Sequence, residues 1–181
     1  FYSIQDLTEV VVRSAGILQV DIDDDGAHEV AKRSRGTPRI ANRLLRRVRD
    51  FAEVRHAGSV SKDVVCKALE IEGVDPLGLD RLDRLYLMTL SKNYEGGPAG
   101  IHALAATINE DQQTLEDVVE PFLLKIGFII RTPQGRRSTL EGFEHVGIRI
   151  RAAGHVGELG LDPVADRRHL SAACEMPEAL V

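Results

Sequence analysis

A mainly helical chain, arranged as two small helical units of which the second ends in a β-hairpin, follows from three features of this 181-residue sequence. Apolar residues recur at helical spacing in short runs, many opened by a capping residue and closed by glycine. Aromatic residues make up 4% and tryptophan is absent, so the cores must be packed from Leu, Ile, Val and Ala. Beyond Gly127 the helical period gives way to two short extended runs around a Pro/Gly turn.

Ser3 and Asp6 form a capping-box-like start for a helix whose face carries Leu7, Val10, Val11 and Ala15, with Gly16 as its stop. Asp23 or Asp24 caps a second helix through Ala31. The third runs from Pro38 to about His56, with Ile40, Leu44, Val48, Phe51 and Ala52 on one face and Gly58 after it. Ser61 caps a fourth, carrying Val64, Val65, Ala68 and Leu69 and ended by Gly73. Four short amphipathic helices with brief links make one compact unit, residues 1–73. The turn-rich stretch Gly73 to Gly78 is the best boundary. Beyond it, Leu82, Leu85, Tyr86, Thr89 and Leu90 form a helix face, Tyr94-Glu-Gly-Gly-Pro-Ala-Gly100 breaks it, and Ile101, Leu104, Ala105 and Ile108 mark a short helix. Leu115, Val118, Val119, Phe122, Leu123 and Ile126 give a strongly periodic helix stopped by Gly127. Phe128–Arg131 reads as a strand, Thr132–Gly135 as a turn and Arg136–Leu140 as the returning strand. Helix, short helix, helix and basic hairpin is the order of a winged helix, here residues 76–148. Residues 149–181 show no sustained apolar period and are expected to be disordered or loosely packed.

No apolar run is long enough to cross a bilayer and nothing resembles a signal peptide, which predicts a cytoplasmic protein. Because the chain opens with Phe1 inside a helix cap, the expectation is that it is the C-terminal part of a longer polypeptide. Cys66 and Cys174 match no metal-ligand or redox spacing, and His56, His102 and His145 have no evident partners. No metal site is predicted. The sequence has no Gly-x-x-x-x-Gly-Lys-Ser/Thr phosphate loop and no complete catalytic constellation, so these residues alone are expected to catalyse nothing.

The net charge of −5 argues against a nucleic-acid partner, but its distribution does not. From Lys32 to Arg55 there are nine basic residues against two acidic ones. Within this run, Gly36 permits a tight lead-in, Thr37 is an N-cap residue and Pro38 suits the first helical position. Arg39 therefore projects from the first helical turn. There a cation is unfavourable for the helix dipole, yet with the exposed amides it suits a phosphate. The alternative is a solvated basic face. On the hairpin, Arg131, Arg136 and Arg137 are candidates for backbone-phosphate contact, since the preceding helix, with Glu116, Asp117 and Glu120, is too acidic to enter a groove. The alternative there is a basic tip that guards strand edges from aggregation.

Three stretches carry a family resemblance: Arg35-Gly-Thr-Pro-Arg-Ile-Ala-Asn-Arg-Leu-Leu-Arg-Arg-Val-Arg-Asp-Phe-Ala-Glu53, the Gly96-Gly-Pro turn, and Gly127-Phe-Ile-Ile-Arg-Thr-Pro-Gln-Gly-Arg136. Through them, from Phe1 to about Ile148, the chain resembles the RuvB family of bacterial Holliday-junction branch-migration ATPases, of the AAA+ class. The resemblance implies a small AAA+ lid domain in residues 1–73 and a winged-helix DNA-binding domain in 76–148. It also implies that ATP or ADP is bound with Mg through a large upstream domain absent here. It assigns Arg39 to the terminal phosphates of the nucleotide, and Tyr2 and Pro38 to the same pocket. It assigns Arg131 and Arg136 to DNA, in a hexameric ring working on duplex and four-way junction DNA with RuvA and RuvC. Two positions depart from the family pattern. Gln134 and Gln112 stand where basic residues are frequent, so the expectation is a DNA contact that is weaker or differently distributed, with Arg137 the candidate to compensate. The tail after Ile148 has no counterpart. A competing reading is a non-enzymatic winged-helix DNA-binding regulator with residues 1–73 as a dimerisation or ligand module, and a third is a protein-interaction scaffold. An upstream phosphate loop, or a lack of preference among duplex sequences, separates the motor from these.

Overall fold

The structure, a computed structural model, describes residues 1–55, 58–150 and 156–158. It divides into two compact units, the first spanning Phe1–Asp80 and the second opening at Arg81.

The first unit contains α1 (Ile4–Leu18), β1 (Asp21–Ile22), α2 (Asp24–Lys32), α3 (Pro38–Arg55), β2 (Ser59–Val60) and α4 (Lys62–Ile71). Ser3 and Asp6 close a full capping box: the Ser3 hydroxyl accepts from the Asp6 amide at 3.1 Å, and the Asp6 carboxylate accepts from the Ser3 amide at 3.2 Å. Gly16 does not end α1. The helix runs two residues further and terminates at Gln19, which takes the left-handed conformation itself. Asp23 is the cap of α2, its carboxylate accepting from the Gly26 amide at 2.6 Å. Ser61 stands at the cap position of α4 but makes no side-chain capping bond. Leu7, Val11, Ala27, Val30, Leu45, Val48, Val65 and Leu69 are all fully enclosed at the centre of the four helices. β1 and β2 pair in parallel, Asp21 with Ser59 and Ile22 with Val60, tying the α1–α2 link to the α3–α4 link.

The stretch after Gly73 is folded into this unit. The Val74 amide donates to Leu69 O at 2.8 Å, the Asp75 carboxylate accepts from the Leu77 and Leu79 amides at 2.9 and 2.8 Å, and Leu79 is fully buried. Since α2 carries one short cap bond at its start, Asp23→Ala is expected to cost about 1 kcal/mol, lowering the melting temperature of this unit by roughly 4–8 °C. Thermal unfolding followed by circular dichroism measures it, and an unchanged midpoint would remove the cap's importance.

The second unit runs α5 (Arg81–Lys92), α6 (Ile101–Ile108), α7 (Gln112–Thr114), a π-helical turn (Leu115–Val119), α8 (Glu120–Lys125), β3 (Ile129–Thr132), β4 (Gly135–Ser138), α9 (Leu140–His145), β5 (Ile148–Ile150) and β6 (Val156–Glu158). It is a winged helix, with β3 and β4 as the wing. The buried face of α5 is Asp83, Tyr86, Leu87 and Leu90, with Thr89 beside it, whereas Leu85 is exposed. The returning strand stops at Ser138, because the Thr139 hydroxyl caps α9 by accepting from the Gly142 amide. His145 packs its ring on Phe128, with centroids 4.9 Å apart.

A third extended segment lies on the wing. Ala99 and Arg136 exchange two backbone hydrogen bonds of 2.9 and 2.8 Å, and the Ser138 amide donates to Gly96 O at 2.9 Å. This contact explains the Gly-Gly-Pro turn: Gly97 has a φ of +91°, and a Cβ there would collide with the carbonyl oxygen of Arg136. Of the tail, residues 149–150 lie in β5 and 156–158 in β6, which pair antiparallel. The expectation for the rest of 149–181, with Cys174, falls outside the described residues, as does His56.

Candidate phosphate turn and basic wing

α2 ends at Lys32 and α3 begins at Pro38, and the turn between them delivers Arg39. The Thr37 carbonyl accepts from the Ala41 amide at 3.0 Å as the first rung of α3, the arrangement of an N-cap. Proline follows at the first helical position, where its missing N–H costs no hydrogen bond. Tyr2 is brought to the same place: its amide donates to Gly36 O at 2.9 Å. Tyr2 is 57% exposed, Pro38 half-buried and Arg39 exposed. Among the described residues no carboxylate pairs with Arg39. The structure thus gathers a free guanidinium, an exposed ring and a helix start at one surface turn, an arrangement suited to a phosphate with an aromatic or heterocyclic neighbour.

Not all of the basic run is available to an anion. Arg33 and Arg35 are buried, Arg33 against Glu29 at 2.7 Å and Arg35 against Asp80 at 2.9 Å. Charge counting along the sequence cannot reveal this, because their partners lie on α2 and in the segment after Gly73.

On the wing, the alternation of a strand decides which arginine faces where. Ile129 is buried, so Arg131 shares its face, while Ile130 points outward. The register pairs Arg131 with Arg136 and Ile130 with Arg137. Arg131 and Arg136 therefore turn toward α8, and Arg137 turns away. The inward pair meets a buried carboxylate that sequence reasoning placed on an acidic outer face. Glu120 is 0% exposed and accepts from Arg131 Nε and Nη2 at 2.9 and 2.5 Å, from Arg136 Nε at 2.8 Å and from the Tyr86 hydroxyl at 2.9 Å. Arg136 also donates to Glu116 at 2.9 Å.

Pro121 accounts for the placement of Glu120. It has no N–H to give to the carbonyl four residues back, and its ring would press on that oxygen. The helix widens into the π turn, and the Glu120 amide reaches back five residues to Leu115 O. The carboxylate thereby joins the face of Leu115, Val119 and Leu123, all buried. A proline inside an apolar-periodic helix was the signal in the sequence.

Burial pushes the Glu120 carboxyl up, but the hydrogen bonds from Arg136, Arg131 and Tyr86 outweigh it and hold the group below the ordinary glutamate range. Burial, and then the Glu120 charge, push the Tyr86 hydroxyl up, so it stays a protonated donor. The side chain of Arg131 is 51% exposed and that of Arg136 16%. Arg137 is exposed, with no ion pair among the described residues. These residues also hold no cluster of His, Cys, Asp or Glu fit for a metal ion, and no helix among them is long and apolar enough to cross a membrane.

The fold and its two basic elements define a class: a small helical unit with a cation at a helix start, followed in one chain by a winged helix. Residues 2–75 match the family model of the RuvB AAA lid domain, and residues 76–147 that of the RuvB C-terminal winged helix domain. The chain belongs to the RuvB family. It is 51% identical over 154 residues to the Holliday junction branch migration complex subunit RuvB of Ligilactobacillus salivarius, a match covering 85% of this chain and 46% of the relative. It superposes on the Thermotoga maritima RuvB Holliday junction branch migration motor with a TM-score of 0.80 at 44% identity, covering 83% of this chain and 51% of the other. A substituted form of the same motor gives a TM-score of 0.80 at 43% identity. The chain thus spans about half the length of these relatives.

Proposed function

We propose that this chain supplies the nucleotide-sensing lid and the DNA-engaging wing of a RuvB-type, ATP-driven motor that promotes branch migration of Holliday junctions. The observation that carries the reading is the turn at Gly36–Arg39, where an arginine with no ion pair among the described residues, Pro38 and Tyr2 meet at a helix start in a lid of this family. Arg39 neutralises charge on the terminal phosphates of ATP, while Tyr2 and Pro38 line the side of the nucleotide. A phosphate loop and magnesium-holding acids come from a separate nucleotide-binding domain, since this sequence has no phosphate-loop motif. The motor works in the cytoplasm as a homo-hexameric ring on duplex and four-way junction DNA, with RuvA as junction-binding partner and RuvC in the resolving complex.

The wing engages DNA through its backbone. Arg137, outward and with no ion pair among the described residues, and Arg131, half-exposed, take phosphates, and Arg136 braces the wing against Glu116 and Glu120 while lending its remaining charge. Two carboxylates offset two of the three guanidinium groups, so the wing holds DNA weakly enough for a translocating motor to release it. Arg137→Ala and Arg131→Ala should each weaken binding to every duplex sequence alike and flatten the salt dependence, lowering the slope of log K against log salt by about 0.9 per lost phosphate contact. Fluorescence anisotropy with two unrelated duplexes across a salt series measures it. A loss confined to one sequence would mean base readout and would support a sequence-specific regulator.

A further inference from the structure

The turn that carries Arg39 is tied to the segment leading into α5 by two buried arginines. Arg33 donates to Glu29 and to Val74 O at 3.4 Å. Arg35 donates through Nε to Gly78 O at 2.7 Å and through Nη2 to Asp80 at 2.9 Å, with its side chain only 7% exposed. Arg35 holds a positive φ of 56°, unusual for a residue with a side chain and sustained by surroundings that over-determine it. The approach is close on the other side as well. Gly78 has a φ of +88°, and a Cβ there would lie 2.6 Å from Arg33 O, so this segment is seated directly on the turn's backbone. Asp75 stiffens it by accepting from the Leu77 and Leu79 amides. One residue separates Arg35 from Thr37, the cap of α3, and Asp80 immediately precedes α5.

We propose that Arg35 is a positioning residue: through Gly78 and Asp80 it couples the phosphate-facing turn at Gly36–Arg39 to the start of α5, so that a shift of that turn on nucleotide binding or hydrolysis is delivered to the chain entering the winged helix. The inference rests on the reading of Arg39 as a nucleotide contact. Two features support a coupling role over simple stabilisation. The bidentate grip holds backbone and side chain at once, as a rigid link requires. And the gripped atoms lie at the exit of the lid unit, where a movement of the turn has one covalent path onward.

The test uses this chain joined to the RuvB nucleotide-binding domain as a complete polypeptide, in Arg35→Ala, Arg35→Lys, Asp80→Asn and Arg39→Ala forms. ATP hydrolysis and branch migration of a synthetic four-way junction are measured side by side, with thermal unfolding of each variant. Arg35→Ala is expected to keep nucleotide KM and hydrolysis within about twofold while migration per ATP falls at least about fivefold, the low end of couplings between distinct sites. Arg35→Lys keeps one of the two contacts and recovers part of the migration. Asp80→Asn, at a partly exposed position that leaves the Gly78 bond in place, guards against misfolding of the Ala variant and is expected to uncouple to a smaller degree. Unchanged migration per ATP in Arg35→Ala, or hydrolysis and migration falling in parallel in both Arg35→Ala and Asp80→Asn, overturns the coupling. Arg39→Ala separates the two ideas: normal hydrolysis in that variant removes Arg39 from the nucleotide while leaving the Arg35 result to be judged on its own.

Discussion

Glu120→Ala should be the most damaging single substitution in the second unit, costing about 3–5 kcal/mol, the range measured when one member of a buried ion pair is removed. The geometry explains the size. Glu120 is fully enclosed, and its two oxygens accept from Arg131, Arg136 and Tyr86 together. Without it the Tyr86 hydroxyl is buried with no acceptor in reach among these partners, and Arg136, 16% exposed, keeps only Glu116. Arg131 is half in solvent and contributes little to the loss, since exposed pairs are worth at most about 1 kcal/mol. A melting-temperature drop of more than roughly 10 °C for the winged-helix transition is expected, given about 4–8 °C per kcal/mol in a unit of this size. Glu120→Gln keeps the shape and one acceptor, so it should cost less. A Glu120→Ala protein that melts with the parent would show that the network contributes no net stability.

The same carboxylate sets an acid limit. Its folded-state pKa lies below the unfolded one, so its contribution is complete above about pH 5 and is lost as the pH falls through the ordinary glutamate value near ~4.3 and then through its lower folded value. Glu120→Gln should flatten that portion of the stability profile.

The caps at Ser3 and Asp23, the apolar faces of α1 to α4 and the hairpin were legible because each rests on local chemistry: a short polar side chain before a helix, a period of three to four, an extended run across a Pro/Gly turn. The candidate site was legible at Arg39 for the same reason, since Thr-Pro-Arg fixes where the guanidinium leaves the helix. What escaped depends on partners remote in sequence. Arg33 and Arg35 look like two more surface cations until Val74, Gly78 and Asp80 close over them. Glu120 looks like one charge of an acidic face until Pro121 widens the helix and turns it inward. The outward aim of Arg137 needed the fold as well, because Ile129 and Ile130 are both apolar and only the burial of Ile129 says which of them faces in. Counting by two from the apolar Ile129 puts Arg131 inside, and the turn register then carries Arg136 inside and Arg137 out.

Arg39→Ala, in a complete RuvB polypeptide carrying this chain, should lower kcat for ATP hydrolysis by about 10²–10³-fold, the cost of removing one charge donor preorganised on a developing anion. The expectation follows from where the side chain stands. Pro38 and the Thr37 cap fix the first turn of α3, and with it the point from which the side chain leaves the backbone, and no carboxylate among the described residues competes for the guanidinium. Since negative charge develops on the oxygen bridging to the leaving phosphate as its bond to the terminal phosphorus breaks, and is absent there in bound ATP, the loss should fall mainly on kcat and less on KM. Arg39→Lys should recover only part of it, because an ammonium keeps the charge without the planar fork that holds two phosphate oxygens. The lid itself should be unharmed: Arg39 is exposed, and Ala41, Leu44, Leu45 and Val48 carry the packing of α3. The isolated chain should hydrolyse nothing with or without Arg39, because an arginine that neutralises phosphate charge supplies neither the metal nor the attacking water. Turnover by the isolated chain above a no-protein control would refute that, and parental kcat in the complete Arg39→Ala motor would place the phosphate-sensing group elsewhere.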